Sequence, residues 1–271
     1  MSSPTHGVVS LAALDLRRRP DHRSELRSQL LMGEVVRIVG GRPGAEWRRI
    51  ENESDGYRGW ARSWGFVPVS AARAGRWRRA ASAHVSRSFA EAREAPGRGA
   101  MLSPLFWGAR VIPGRHSGRH RAIELPDGRR GWVESAALAV GGRGPLSLTK
   151  RIRELLGVPY LWGGRTPVGL DCSAFTQLVL AEQGLALPRD AAEQERSARQ
   201  LREGNEPREG DLVFFGHKGR PAGHAGLVLG GGYFAHARGQ VRINSLDPTN
   251  PLYDNALARQ FRGFRRPIQR T

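Results

Sequence analysis

The first 140 residues contain the same strand-and-turn pattern twice. Each copy has an alternating apolar strand next to a glycine, Gly33 or Gly108, and later reaches an Asp-Gly pair that begins at Asp55 or Asp127. The two glycines are 75 residues apart and the two aspartates 72. An Asp-Gly pair between apolar segments is typical of a tight hairpin turn. A run of short strands is stabilised when the sheet closes and hides its edges. The repeat therefore predicts two small β-barrels in tandem.

The rest of the chain alternates helix and strand signals. The glycine-rich segment Gly141–Pro145 is typical of a linker. A helix is predicted from Cys172 to Glu182, because its apolar residues share one helical face and Gly184 follows it. The sequence also predicts a short helix from Ser147 to Leu156 and strands at 212–215, 225–229 and 233–237. A helix followed by an antiparallel sheet indicates an α+β fold. The predicted domains are residues 1–70, 71–141 and 142–271.

The composition narrows the class of protein. The net charge is +18, but the positive residues are almost all arginines scattered through the whole chain. Nucleic-acid binding requires a concentrated basic patch, so we expect no nucleic-acid partner. The single cysteine excludes an internal disulfide. Residues 1–7 show no secretory signal, and no segment has the apolar length of a membrane span. We therefore expect a cytoplasmic protein that does not bind membranes and is a monomer.

The single cysteine, Cys172, lies where a glycine-rich loop meets the predicted helix. Asp171 is the expected N-cap, and Gly163 and Gly164 allow the backbone to approach closely. A helix N-terminus favours negative charge and lowers a thiol pKa, which suits a nucleophile. A buried cysteine that acts only as a small apolar residue is the alternative.

Two histidines favour the nucleophilic interpretation. A hairpin centred near Gly230 would place His224 directly across from His236, so that both imidazoles share one face. One could then act as base for Cys172 while the other orients it. The same three residues could instead bind zinc, with water as fourth ligand. The sequence has no closely spaced ligand pair, so we expect no metal and no cofactor.

Several motifs of the C-terminal region together resemble one family. In chain order they are Tyr160-Leu161-Trp162-Gly163-Gly164, Leu170-Asp171-Cys172-Ser173-Ala174-Phe175, Leu187-Pro188-Arg189-Asp190, Gly210-Asp211-Leu212-Val213-Phe214-Phe215, His224-Ala225-Gly226-Leu227-Val228-Leu229 and Phe234-Ala235-His236-Ala237. This series resembles the NlpC/P60 cysteine peptidases, which have a papain-like core. The resemblance implies that Cys172 is the nucleophile, His224 the base and His236 the third polar residue. It also implies that Tyr160 helps to stabilise the oxyanion.

The Gly-Trp ends of the two repeats resemble bacterial SH3-like domains, and the whole chain resembles γ-D-glutamyl-L-diamino-acid endopeptidases. That resemblance implies a small acidic peptide from the cell wall as substrate, with a free N-terminal L-alanine. Its ammonium group would contact Asp171 and Ser173 and, from the first SH3-like domain, Glu34 and Tyr57. Arg189 would pair with a substrate carboxylate, with Asp190 or with a helix end.

Two departures from the family pattern are Ala174, where glycine is usual, and Ala191, where some relatives have serine. Two other functions remain open. The chain could be an exported endopeptidase that cuts intact peptidoglycan, or a non-catalytic protein that binds wall peptides through its SH3-like domains.

Overall fold

Two copies of one strand order make up the N-terminal part of the chain. The structure is a computed structural model that describes residues 4–141, 146–202 and 204–268, and the predicted linker at 142–145 lies outside these ranges. The chain divides between residues 145 and 146 into two compact units, each considered by itself. The N-terminal unit contains both copies of the repeat, and the C-terminal unit contains Cys172 and both histidines.

The first copy is a seven-stranded antiparallel sheet in the order β3-β2-β6-β5-β4-β1-β7. Its strands are β1 (His6–Val9), β2 (Ala13–Arg17), β3 (Leu26–Leu31), β4 (Val35–Gly40), β5 (Trp47–Asn52), β6 (Arg58–Arg62) and β7 (Phe66–Val69). A helix, α1 (Ala71–Ala80), follows and is capped by Ser70, whose side chain accepts a hydrogen bond from the Arg73 N–H.

The second copy is also a seven-stranded antiparallel sheet, in the order β10-β9-β13-β12-β11-β8-β14. Its strands are β8 (Ala83–Val85), β9 (Phe89–Ala95), β10 (Arg98–Phe106), β11 (Arg110–Ser117), β12 (His120–Glu124), β13 (Arg130–Glu134) and β14 (Leu138–Val140). Adding seven to each label of the first sheet gives the second, so the repeat seen in the sequence is a repeat of topology.

The repeated glycines explain why the topology is repeated. Gly33 and Gly108 occupy the same turn in the two copies, with φ of +83° and +89°. The glycines of the two Asp-Gly pairs, Gly56 and Gly128, have φ of +74° and +86°. Only glycine adopts this left-handed region without strain, so the same turns are fixed in both copies.

Each copy of the repeat packs around an apolar core. The first core contains Leu14, Leu16, Val36 and Ile50, and the second contains Leu105, Val111, Ile123 and Val133. Among the tryptophans, Trp107 is buried, whereas Trp47, Trp60 and Trp132 are half-buried.

The C-terminal unit packs helices against one antiparallel sheet. Its elements are α2 (Leu148–Leu155), β15 (Arg165–Thr166), β16 (Gly169–Leu170), α3 (Cys172–Glu182), α4 (Ala191–Ser197), β17 (Arg199–Gln200), β18 (Leu212–Phe215), β19 (His224–Gly230), β20 (Tyr233–Arg238), β21 (Gln240–Ser245), α5 (Asn255–Ala258) and β22 (Phe261–Arg266). The strand order is β17-β22-β18-β19-β20-β21, with β15 and β16 paired separately. Ser147 occupies the N-cap of α2 without a capping side-chain bond.

Helix α3 is the centre of this unit. It has the bounds predicted from the sequence and contacts β19 and β20, the strands that carry the two histidines. Nearly all of its residues are buried rather than one face alone. The interior of this unit also contains a charged pair, in which the buried Arg151 donates to both carboxylate oxygens of Glu182 at 2.6 and 2.8 Å. The fold therefore fixes the start of α3 against the histidine hairpin.

Candidate active site

Cys172 is the first residue of α3 and is held by backbone groups. Asp171 is the N-cap, and its Oδ1 accepts a hydrogen bond from the Ala174 N–H at 2.7 Å. The Sγ of Cys172 accepts hydrogen bonds from the backbone N–H groups of Ser173 and Ala225. Because Ala225 follows His224, the second of these bonds places the thiol beside the first histidine. Cys172 is 6% exposed.

The pKa of the thiol differs from the sequence prediction. Burial raises the pKa of Cys172 to about 12, and the nearby negative charge of Asp171 acts in the same direction. The backbone donors of Ala225 and Ser173 and the charge of Arg189 oppose this rise but do not outweigh it. The prediction of a lowered thiol pKa was therefore wrong for the free site. Cys172 is a protonated thiol at neutral pH and needs a base to become a nucleophile.

A chain of three side chains continues from His224. His224 Nε2 lies 2.8 Å from His236 Nδ1, and His236 Nε2 lies 2.9 Å from Asn244 Oδ1. Asn244 is oriented in turn, because its Nδ2 donates to the Leu252 carbonyl at 2.9 Å. Asn244 was not among the site residues predicted from the sequence. An asparagine within a strand is unusual enough to have been a signal.

The orientation of Asn244 sets the protonation of both imidazoles. Its amide nitrogen donates to the Leu252 carbonyl, so its oxygen faces His236 and His236 must carry its proton on Nε2. His236 Nδ1 is then an acceptor, and His224 must donate from its own Nε2. This leaves a lone pair on His224 Nδ1, which is what a base for Cys172 requires.

The register of the histidine hairpin differs from the prediction. Gly226, and not His224, lies across from His236, so the two histidines are diagonal neighbours. The turn is Gly231-Gly232, both with positive φ, and the register shifts between Val228 and Gly230. These features move the pairing by two residues. A shift of two preserves the face, and diagonal neighbours are within reach of long side chains.

Both histidines are neutral at physiological pH. Burial lowers the pKa of His224 to about 3, and the neighbouring His236, Arg238 and Arg242 lower it further. Burial lowers the pKa of His236 to about 4, opposed by its hydrogen bond to Asn244. A neutral imidazole can accept the Cys172 proton, so the electrostatics agree with the hydrogen-bond directions.

Tyr160 stands at the edge of the same site. Burial raises its pKa above the ordinary value, and the nearby Cys172 and Asp171 act in the same direction. The phenol thus stays protonated and can donate a hydrogen bond. With His224 it lines a pocket of about 200 Å³. Two glycines shape this loop: Gly163 has a φ of +74° and donates to Asp171 Oδ2, and Gly164 faces the Gly169 carbonyl closely.

Arg189 does not lie where a residue that contacts a substrate carboxylate was predicted. It is 1% exposed, and its two terminal nitrogens donate to Asp171 at 3.0 and 2.5 Å. It also donates to Ser173 Oγ at 3.0 Å. Arg189 thus binds the two residues that flank Cys172. This burial argues against a substrate contact and gives Arg189 a positioning role.

Glu34 and Tyr57 belong to the N-terminal unit. Glu34 is buried, and its Oε2 accepts a hydrogen bond from the Leu31 N–H at 2.8 Å in the turn between β3 and β4. The Tyr57 ring packs on the first core, with the Arg27 guanidinium 5.0 Å from its centre. Their contact with a substrate ammonium stays a prediction.

Within residues 4–141, 146–202 and 204–268, no group of three or more His, Cys, Asp or Glu side chains is arranged to hold a metal ion. In the same part of the chain, no helix has the length and apolar character needed to cross a membrane.

Comparison with known protein families found a match in each of the two units. Residues 157–262 match the NlpC/P60 family, and residues 16–63 match the bacterial dipeptidyl-peptidase SH3 domain. The match to the NlpC/P60 family thus lies in the C-terminal unit and the match to the SH3 domain in the N-terminal unit, and the fold is α+β overall.

Individual relatives make the comparison more specific. The chain is 42% identical over 107 residues to the "Probable endopeptidase NlpC homolog" of Haemophilus influenzae, covering 38% of this chain and 56% of the relative. It is 36% identical over 112 residues to the gamma-D-glutamyl-L-lysine dipeptidyl-peptidase of Bacillus subtilis, covering 40% of this chain and 38% of the relative. The matches thus span about half or less of these relatives. Their names support a peptidase.

A solved structure shares the fold over the full length. An NlpC/P60 family protein from Bacillus cereus superimposes with a TM-score of 0.80 and 18% sequence identity, covering 97% of this chain and 99% of that chain. At this level of identity the likeness concerns the fold alone.

Proposed function

We propose that this chain is a cysteine peptidase that hydrolyses the bond between γ-D-glutamate and a diamino acid in small peptidoglycan peptides with a free N-terminal L-alanine. One observation carries the proposal: Cys172 lies at the start of α3 beside His224, whose proton is directed away from Cys172 by His236 and Asn244. This is the arrangement of a nucleophile with an oriented base.

The reaction follows from these positions. His224 Nδ1 takes the Cys172 proton as Sγ attacks the γ-glutamyl carbonyl carbon. The oxyanion receives hydrogen bonds from the Tyr160 hydroxyl and the Cys172 N–H, since the first N–H groups of a helix have no acceptor within it. The carbon–nitrogen bond then breaks, and His224 returns the proton to the leaving amine, giving a thioester. His224 next activates a water molecule, which hydrolyses the thioester and restores the thiol.

The proposed substrate rests on the relatives and on charge. The Bacillus subtilis relative is named for cleavage at γ-D-glutamyl-L-lysine. The diaminopimelate form of this tripeptide has one more carboxylate than ammonium groups, and a net charge of +18 would attract it. In this proposal Asp171 and Ser173 contact the substrate ammonium, and the protein acts in the cytoplasm on peptides released from the wall.

The first experiment tests the nucleophile. Purified wild-type protein is incubated with L-Ala-γ-D-Glu-L-Lys and with the corresponding diaminopimelate peptide, and the released diamino acid is quantified. Cys172→Ala and Cys172→Ser should release none above background while keeping the wild-type melting temperature. Hydrolysis by Cys172→Ala at the wild-type rate would disprove a cysteine mechanism.

The second experiment separates the proposal from its alternatives. The free tripeptide, its N-acetylated form and intact peptidoglycan are compared as substrates. The proposal expects hydrolysis of the free tripeptide alone. Equal hydrolysis of the acetylated form and of intact peptidoglycan would favour an endopeptidase that acts on the wall. Tight binding of the tripeptide without turnover by the wild type would favour a binding protein.

A further inference from the structure

The pocket beside His224 contains an arginine that the proposed mechanism does not use. Arg238 lines this pocket together with Tyr160, His224, Leu257 and Gln260. Gly226 pairs with His236 across the hairpin, and continuing that register by two residues places Arg238 across from His224. Directly opposed side chains project to the same face of a sheet. The cation and the catalytic base are therefore neighbours on one wall.

The charge of Arg238 is only partly neutralised by the protein. Asp254 accepts hydrogen bonds from Arg238 at 3.2 Å and from Arg242 at 3.1 Å, so two guanidinium groups share one carboxylate. Asp254 is also held by the Leu257 N–H at 3.0 Å, which fixes it at the start of α5. The Arg238 side chain is 46% exposed, and a guanidinium has five donors. It can bind a second acceptor without leaving Asp254.

The positive charge that Asp254 does not neutralise affects His224. The charges of Arg238 and Arg242 lower the pKa of His224, and the opposing effect of Asp254 is smaller. The pocket beside His224 is therefore at a positive potential, which favours an anionic ligand.

We infer that Arg238 forms a subsite for the free carboxylate of the diamino acid on the leaving side of the cleaved bond. The inference rests on the proposed function. His224 must lie next to the leaving nitrogen to protonate it, and Arg238 is its cross-strand neighbour. The acyl part of the substrate is bonded to Cys172 at the start of α3, beside Asp171 and Ser173. Peptides that end at the diamino acid are thus preferred over peptides that continue beyond it.

The test compares peptides that differ in one carboxylate. kcat/KM is measured for L-Ala-γ-D-Glu-L-Lys, for its C-terminal carboxamide, and for the peptide in which the D-glutamate α-carboxylate is an amide. The wild type should cleave the C-terminal amide less efficiently, on the order of tenfold, the contribution of a charged hydrogen bond. Arg238→Gln should reduce this ratio to about one, and Arg238→Lys should keep part of it.

Arg242→Gln is the matched control, because Arg242 also pairs with Asp254 but does not line the pocket. It should keep the wild-type ratio between acid and amide. The ratio compares two peptides on one protein, so a general loss of activity cancels. An unchanged ratio in Arg238→Gln would overturn the inference, as would sensitivity only to the D-glutamate amide, and both would leave the proposed function intact. Failure of the wild type to cleave any of the three peptides would disprove the proposed function and the subsite with it.

Discussion

Arg189 donates from both terminal guanidinium nitrogens to Asp171, the residue that precedes Cys172. The pair is buried, and Asp171 also accepts from the N–H groups of Gly163 and Ala174. One carboxylate therefore joins the glycine loop, the start of α3 and the segment before α4. The position of the nucleophile depends on this pair although neither member takes part in the chemistry.

Arg189→Met should destabilise the protein strongly. Removing one member of a buried ion pair leaves the other charge without compensation and costs about 3–5 kcal/mol. The free energy of unfolding from urea titration checks this value. The double variant Asp171→Asn/Arg189→Met should recover part of the loss, and Arg199→Met, at an exposed arginine, should be nearly neutral. A single variant as stable as the wild type would contradict the role of the pair.

Asn244→Leu should reduce kcat with little change in KM. Without the amide oxygen His236 is free to adopt the other tautomer, and His224 then loses its acceptor. We expect a loss on the order of a hundredfold, the lower range for general acid–base catalysis. Asn244→Asp should retain more activity at high pH than at low pH, because a carboxylate favours protonated His236. Asn205→Ala, at an exposed asparagine, is the control. Equal activity of Asn244→Leu and the wild type would show that the relay ends at His236.

Alkylation of Cys172 should accelerate with pH throughout the range from 6 to about 10. Burial and Asp171 raise its pKa to about 12, so the thiolate fraction keeps growing across this range. The rate with iodoacetamide, measured by mass spectrometry, checks this expectation. A rate that reaches a plateau below pH 7 would instead indicate a thiolate–imidazolium pair in the free protein.

Stability should fall as the pH falls from about 6.5 towards 3. The folded-state pKa values of His224 and His236 are lowered from 6.5 to about 3 and about 4. In this window the unfolded chain binds protons that the folded chain does not, so protonation favours unfolding. Urea titrations at several pH values should show a weaker dependence for His236→Asn than for the wild type. His217→Asn, at an exposed histidine, is the control, and identical slopes for all three proteins would refute the prediction.

Two glycine substitutions should have opposite effects. A Cβ at Gly164 would lie 2.5 Å from the Gly169 carbonyl oxygen and 2.8 Å from Leu161 Cβ, so Gly164→Ala should cost about 1–3 kcal/mol and displace the Tyr160 loop. A Cβ at Gly75, inside α1, would meet only the ends of two flexible arginines, Arg79 at 3.5 Å and Arg78 at 3.7 Å. Gly75→Ala should therefore stabilise the protein by up to about 1 kcal/mol. Thermal unfolding of both variants distinguishes the two signs.

Local structure could be predicted from the sequence more completely than contacts between distant residues. Turn glycines such as Gly33 and Gly108 determine the conformation of only a few neighbouring residues. The repeat could therefore be recognised from the sequence before the fold was known. Helix α3 was also predictable, because its N-cap and its apolar spacing are adjacent along the chain. The resemblance to known motifs then supplied Cys172, His224 and His236 as candidates.

The remaining features depend on distant partners. The hairpin register could not be predicted, because three consecutive glycines are compatible with more than one position of the turn. The sequence did not show that the turn would consist of two residues. Asn244 gains its role only when β21 pairs with β20, and Arg189 only when the chain returns to Asp171. The thiol pKa was mispredicted because burial is a property of the fold and can outweigh a helix terminus.

The hydrogen-bond relay from His224 ends at the main-chain carbonyl of Leu252. A main-chain carbonyl is present in all twenty amino acids, so substitution at position 252 leaves the acceptor in place. The last acceptor of the relay is therefore kept in a point mutant at position 252, but a change in the backbone conformation there would remove it. An insertion or deletion between Leu246 and Leu252 would move that carbonyl, and this short segment is where loop engineering would abolish the relay without touching any of its side chains.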